Sequence, residues 1–135
     1  MATALRHVEN ATFVTFTVEA AQAVTQWHAV ELAAAGVRDA QVNSDTIIGI
    51  ARHSAAAGER VEVTMLGPIE SCVVAAAGVT IGLKVQAAAT GLVEDAAAHD
   101  SSGATDDSIL GMAMQTGTSG QIVGVMLMAS NRGSA

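Results

Sequence analysis

One stretch of this chain occurs twice, and that constrains the fold more than any other feature. "GIARHSAAAGERVEVTML", from Gly49, aligns with "GMAMQTGTSGQIVGVMLM", from Gly111. Ile47, Gly49, Ala51, Gly58, Val61 and Val63 meet identical residues at Ile109, Gly111, Ala113, Gly120, Val123 and Val125. Chance in so Ala-, Gly- and Val-rich a chain supplies roughly 2 identities in such a window, so the match marks an internal repeat. Ile50 with Met112, Ser54 with Thr116, Glu59 with Gln121 and Met65 with Leu127 are similar in kind. Upstream, "VTQWHAVELAAAGV" from Val24 aligns with "VTIGLKVQAAATGL" from Val79, pairing Val30 with Val85 and Gly36 with Gly91. The spacing grows from 55 residues (Val24 to Val79) to 62 (Gly49 to Gly111), so the second copy carries seven extra residues. These fit in "AAAHDSSGATDD", Ala96 to Asp107, whose Ser, Gly and Asp content is that of an exposed loop. Two related halves are expected, 24–66 and 79–128, within a β domain spanning 24–135. A stretch of 1–23 precedes them as N-terminal arm and first strand, and "GPIESCVVAAAG" joins them.

The repeated segments have the period of strands. Val61, Val63 and Met65 alternate with Glu62 and Thr64, and Val123, Val125 and Leu127 alternate with Gly124 and Met126. "TFVTFTV", Thr12 to Val18, is β-branched and aromatic, which suits another strand. Glycines closing the "AAAG" runs at Gly36, Gly58 and Gly78 supply the backbone freedom that tight turns need. A helix over Val18 to Ala35 is the rival reading on propensity, but its repeat partner contains Gly82 and β-branched residues. Only Ala20 to Gln26 is expected to form a short helical turn. The fold class expected is mainly β: a small β-barrel or β-sandwich built from two related halves, with an extended N-terminal arm and little helix.

Composition excludes several functions. The chain has 135 residues, the length of one domain. Half of them are hydrophobic, but the longest apolar run, Cys72 to Leu83, is shorter than the ~20 residues of a membrane helix. "MATALRHVEN" has no secretory pattern, so synthesis in a host cytoplasm and a soluble product are expected. A net charge of -7 with only six scattered Lys and Arg argues against nucleic acid. With Trp27, Phe13 and Phe16 as the only aromatic residues, stacking platforms for sugars or bases are nearly absent.

No catalytic constellation emerges. There is no G-x-S-x-G, and Cys72 has no local His signature. "TGTSGQ" lacks the Lys that grips phosphate. His7, His28, His53 and His99 show no metal-ligand spacing, and the counterpart of His53 is Gln115. His99, Asp100, Asp106 and Asp107 form the best cation candidate but lack the oxygen-ligand spacing of a calcium loop. Lys84, the only lysine, falls in an expected strand, whereas a lipoyl or biotinyl carrier displays its lysine on a turn. No cofactor and no metal are expected.

"IIGIARHSAAAGERVEVTMLGPIE", then "AAAGVTIGLKVQAAATGLVEDAA", then "ILGMAMQTGTSGQIVGVMLM", resembles in order the head decoration or cement proteins of tailed bacteriophages, over about Val24 to Met128. The resemblance implies a β-rich homotrimer on the outer capsid surface, bound between subunits of an HK97-type major capsid protein and stabilising the head. It carries no catalytic residues. The insertion and the long N-terminal stretch depart from the common pattern. The apolar strand Phe13, Val14, Phe16 and Val18 is the candidate coat contact. Other readings are another virion protein such as a tail tube, or a surface carbohydrate-binding module.

Overall fold

The computed structural model describes residues 13–19, 22–42, 44, 46–65, 69–96 and 108–131. Ten strands follow in chain order: β1 (Phe13–Thr17), β2 (Ala29–Ala33), β3 (Gly36–Asp39), β4 (Ile47–Ala51), β5 (Arg60–Met65), β6 (Ile69–Val73), β7 (Lys84–Ala87), β8 (Val93–Asp95), β9 (Ser108–Ala113) and β10 (Ile122–Asn131). They form two five-stranded antiparallel sheets, ordered β1-β5-β4-β2-β3 and β6-β10-β9-β7-β8. The second order is the first advanced by five strands, so the sequence repeat is a repeat of topology. It also reaches further upstream than the sequence match: β1 corresponds to β6, which lies in the segment between the two matched halves. Phe16 pairs with Val61 as Cys72 pairs with Val123. These strands share little besides one inward row, which is too little for sequence alignment to detect.

The two halves use the same hydrogen bonds with different side chains as the acceptor. His53 Nε2 accepts from the backbone N–H of Glu62 (3.2 Å), and Gln115 Oε1 accepts from that of Gly124 (2.8 Å). The imidazole is thus exchangeable for an amide because the site needs only an acceptor. Likewise Glu59 and Gln121 cap Ala56 and Thr118, and Asp39 and Asp95 cap Thr25 and Thr80. Each such bond satisfies a backbone N–H, in a turn or near the start of a strand, that the ladders leave unpaired.

Tertiary pairing overrides the helical propensity of residues 18–35. Val24 exchanges backbone hydrogen bonds with Ala55, both 2.9 Å, and Ala29–Ala33 lies between β4 and β3. The expected helical turn over Ala20 to Gln26 does not form across Gln22–Gln26; residues 20–21 lie outside the described ones. Among the described residues the helical content is one 3-10 turn, Ala89–Gly91. Trp27 takes a left-handed backbone, φ 68, where its counterpart is Gly82, φ 83. That conformation costs about 1–2 kcal/mol for a residue with a Cβ. Trp27 offsets it by packing against the larger core cluster.

Each sheet curls over its own core. Its outer strands approach at one parallel bridge, Val18 to Val37 in the first half and Val74 to Val93 in the second, without closing a hydrogen-bonded barrel. The arrangement is sandwich-like. The first core holds Val18, Val24, Val30, Val37, Ala51, Val61 and Val63. The second holds their counterparts, Val74, Val79, Val85, Val93, Ala113, Val123 and Val125. A bulge in β4 lets Ile47 face one core and Ile48 the other, since the register shifts between Val30 and Glu31.

Candidate interaction surfaces

The second core is the larger because the first half contributes to it. Ala29, Ala40 and Ile50, on the outward side of the first sheet, sit in one cluster with Cys72, Ala87, Leu110 and Leu127. Backbone bonds fasten this joint: Val73 N–H to the Trp27 carbonyl (3.2 Å) and Gly91 N–H to the Ala40 carbonyl (2.7 Å). A Cβ on Gly91 would stand 2.7 Å from the Ala29 carbonyl oxygen, so the approach requires glycine there. Thr64 Oγ1 donates to Glu70 Oε2 (2.8 Å) across the same joint. His28 Nδ1 lies 2.6 Å from the Thr90 carbonyl oxygen and 3.4 Å from Asp39 Oδ2. Asp39 raises the His28 pKa above its ordinary value; burial opposes this, and the Thr90 carbonyl adds to the rise.

The outward faces of the sheets differ in chemistry. On the first, Arg60 and Glu62 stand on either side of inward Val61 along β5, and Arg52 and His53 each lie 3.9 Å from the Glu62 carboxylate. At the corresponding positions the second sheet carries Ile122, Gly124, Met114 and Gln115. Met126 pairs with both Ile69 and Met112, which places the three on one face. Ile69, Ile122 and Met114 are 59%, 55% and 40% exposed, so this face is an apolar surface. The buried Glu31, bonded to Arg38 (2.8 Å), becomes Gln86 bonded to Glu94 (3.2 Å).

The expected coat-contact residues lie on β1 and the bridge that follows it. Val18 is 1% exposed within the first core, Phe16 packs against that core, Val14 is half-buried, and Phe13 pairs with Thr64. Thr15 and Thr17 are the exposed residues of the strand. Lys84 opens β7. Cys72 is fully buried, and burial pushes its thiol far above the ordinary range, with Glu70 adding to the effect. His7, His99, Asp100, Asp106 and Asp107 lie outside the described residues. Among the described residues no three His, Cys, Asp or Glu converge as a metal site. What sequence reasoning missed is the apolar outward face of the second sheet; the run of charged-to-apolar replacements between the repeats was its signal.

Comparison with known proteins agrees with this architecture. No curated protein matches the chain. Among solved structures, the N base of head fiber gp8.5 in bacteriophage phi29 superposes with a TM-score of 0.62 at 18% identity, covering 88% of this chain and 97% of that one. At that identity the likeness is one of fold. A family model described as phage cement protein matches residues 8–130. That match spans nearly all of the β-sandwich: the chain belongs to the phage cement protein family, structural proteins of the virion.

Proposed function

We propose that the chain decorates the outer surface of a phage head, seating between subunits of an HK97-type major capsid protein as a homotrimer and holding the shell against internal pressure. The family match over residues 8–130 carries this reading. A brace of this kind needs adhesion and no turnover, and a buried thiol and an apolar outward sheet face suit that role. Several modest contacts on one trimer act together, because each one after the first forms at high effective concentration. At ~25 cal/mol per Å² a few hundred apolar Å² per contact matters even after association costs.

The N-terminal strand remains the proposed coat contact. β1 ends the strand order of its sheet, and its exposed Thr15 and Thr17 leave Val14, Phe16 and Val18 to support it from the core side. The test mixes purified chain with expanded capsids that lack it and measures bound copies and the temperature of shell rupture. Saturable binding with a raised rupture temperature is expected, and Thr15→Arg with Thr17→Arg should lower occupancy. Absence of binding, or location on the tail in images of virions, refutes the reading.

A further inference from the structure

The two halves meet head to tail, and one end of that arrangement is left over. In the second half, Cys72, Ala87, Leu110 and Leu127 line an end of the core and are sealed by Ala29, Ala40 and Ile50 from the first half. Strand registers assign their counterparts in the first half. Phe16 and Cys72 pair with Val61 and Val123, and Leu32 and Ala87 with Val37 and Val93. Met65 and Leu127 pair with Gly49 and Gly111, which places Ile48 opposite Leu110 in the repeat. Yet Leu32 is 49% exposed, and Phe16, Ile48 and Met65 are only partly buried. The patch that does the sealing also has its counterpart, on the second sheet: Lys84 for Ala29, Ala96 for Ala40 and Met112 for Ile50, with Met126 and Ile69 beside them. Met112 and Met126 are half-buried, Lys84 and Ile69 exposed.

We propose that a second copy of this chain supplies the missing seal: the outward face of its second sheet, at Met112, Met126 and Ile69, docks on the open end formed by Phe16, Leu32, Ile48 and Met65. The contact repeats the one already present between the halves, and its substitutions compensate. Inside the chain, bulky Trp27 meets an end built with small Cys72 and Ala87. Between chains, Gly82 stands at the place of Trp27, and the end carries Phe16 and Leu32. Bulk removed from one side reappears on the other, as close packing requires. Lys84 lays its methylene stem along the contact and keeps its ammonium in water. The two surfaces are an end and a sheet face, distinct from each other, so the contact is heterologous. It closes into a ring or runs on as a filament. Closure at three copies is the stoichiometry of the trimer proposed above, and to that extent the inference rests on that reading.

The experiment uses the full chain without capsids, so its failure is separable from failure to decorate a shell. Sedimentation velocity at about 100 µM, where a contact of Kd near 1 µM is nearly saturated, is expected to show assembled wild type. Leu32→Glu blocks the open end and Met112→Glu the sheet face; each is expected to weaken assembly roughly 100-fold or more by burying an unpaired carboxylate. Mixing the two variants is the decisive step. Each retains the surface that the other has lost, so an equimolar mixture is expected to form a 1:1 dimer and grow no further. Ala57→Glu, exposed in the turn before Arg60 and so at the far end of β5 from Met65, is expected to assemble as wild type does. Circular dichroism and melting confirm that the variants fold, and Ile69→Glu replaces Met112→Glu should the latter unfold. Monomeric wild type overturns the proposal. So does an assembled wild type whose two variants either assemble equally well or stay monomeric when mixed.

Discussion

Replacing Gly49 with alanine tests whether the repeat conserves glycine for close strand approach or merely for turns. A Cβ at Gly49 would stand 1.9 Å from the Thr64 carbonyl oxygen and 2.8 Å from its carbon. The counterpart is nearly the same, 2.1 Å from the Met126 carbonyl oxygen at Gly111. Both obstacles are backbone, so no side chain can swing away. Restoring an ordinary contact needs β4 to retreat from β5 by about 1 Å, which stretches a ~2.9 Å ladder bond past useful length. β4 lies between β5 and β2 and has no edge to retreat toward. Losing two or three ladder bonds at about 1 kcal/mol each, with an overpacking term of about 1–3 kcal/mol, gives roughly 3–6 kcal/mol. Against a total stability of about 5–15 kcal/mol this is a large fraction, and it lowers Tm by roughly 10–20 °C for a chain of this size. Gly58→Ala is the internal comparator. Gly58 has φ +81 and nothing within 4 Å of its Cβ position, so only the left-handed penalty of about 1–2 kcal/mol applies. Urea unfolding of both variants gives the two free energies. A Gly49→Ala cost no larger than that of Gly58→Ala refutes the close-approach argument, and Gly111→Ala should follow Gly49→Ala.

Three further outcomes follow from the joint and the buried charges. The His28 pKa is raised in the folded chain, so its contribution is fully present below the unfolded value near 6.5 and is lost as pH rises through the higher folded value. Melting temperature should therefore fall over that window, and His28→Asn should flatten the slope. Glu31 behaves oppositely: burial pushes its carboxyl up, but the Gln41 N–H, Arg38 and Ser44 together outweigh this and hold it below 4.5. Its stabilisation is present above the unfolded value and disappears as pH falls through the folded one. Glu31→Ala, which leaves half-exposed Arg38 unpaired, should cost about 2–3 kcal/mol in chemical denaturation. Cys72, sealed between the halves, should resist alkylation by iodoacetamide until denaturant opens the joint; rapid labelling of the folded chain would contradict its burial.

The repeat and the strands of its second part were legible in the sequence, because alternation and turn glycines are local properties. Ile47, Gly49, Val61 and Val63 recur at the same spacing as Ile109, Gly111, Val123 and Val125 whatever surrounds them. The match of β1 with β6 was not legible, since only the inward row is under common constraint and Phe16 and Cys72 look unrelated. The strand at Ala29–Ala33 was legible only through its repeat partner around Lys84–Ala87, since its own helix-favouring residues are held extended by β3 and β4.

Tertiary structure alone decided which half is covered. Ile48 and Leu110 are equivalent apolar residues in equivalent strands, yet Leu110 is buried under Ile50 and Ala29 while Ile48 reaches the surface. Burial depends on what another part of the chain brings to a side chain, and two like halves joined head to tail necessarily treat their like ends differently.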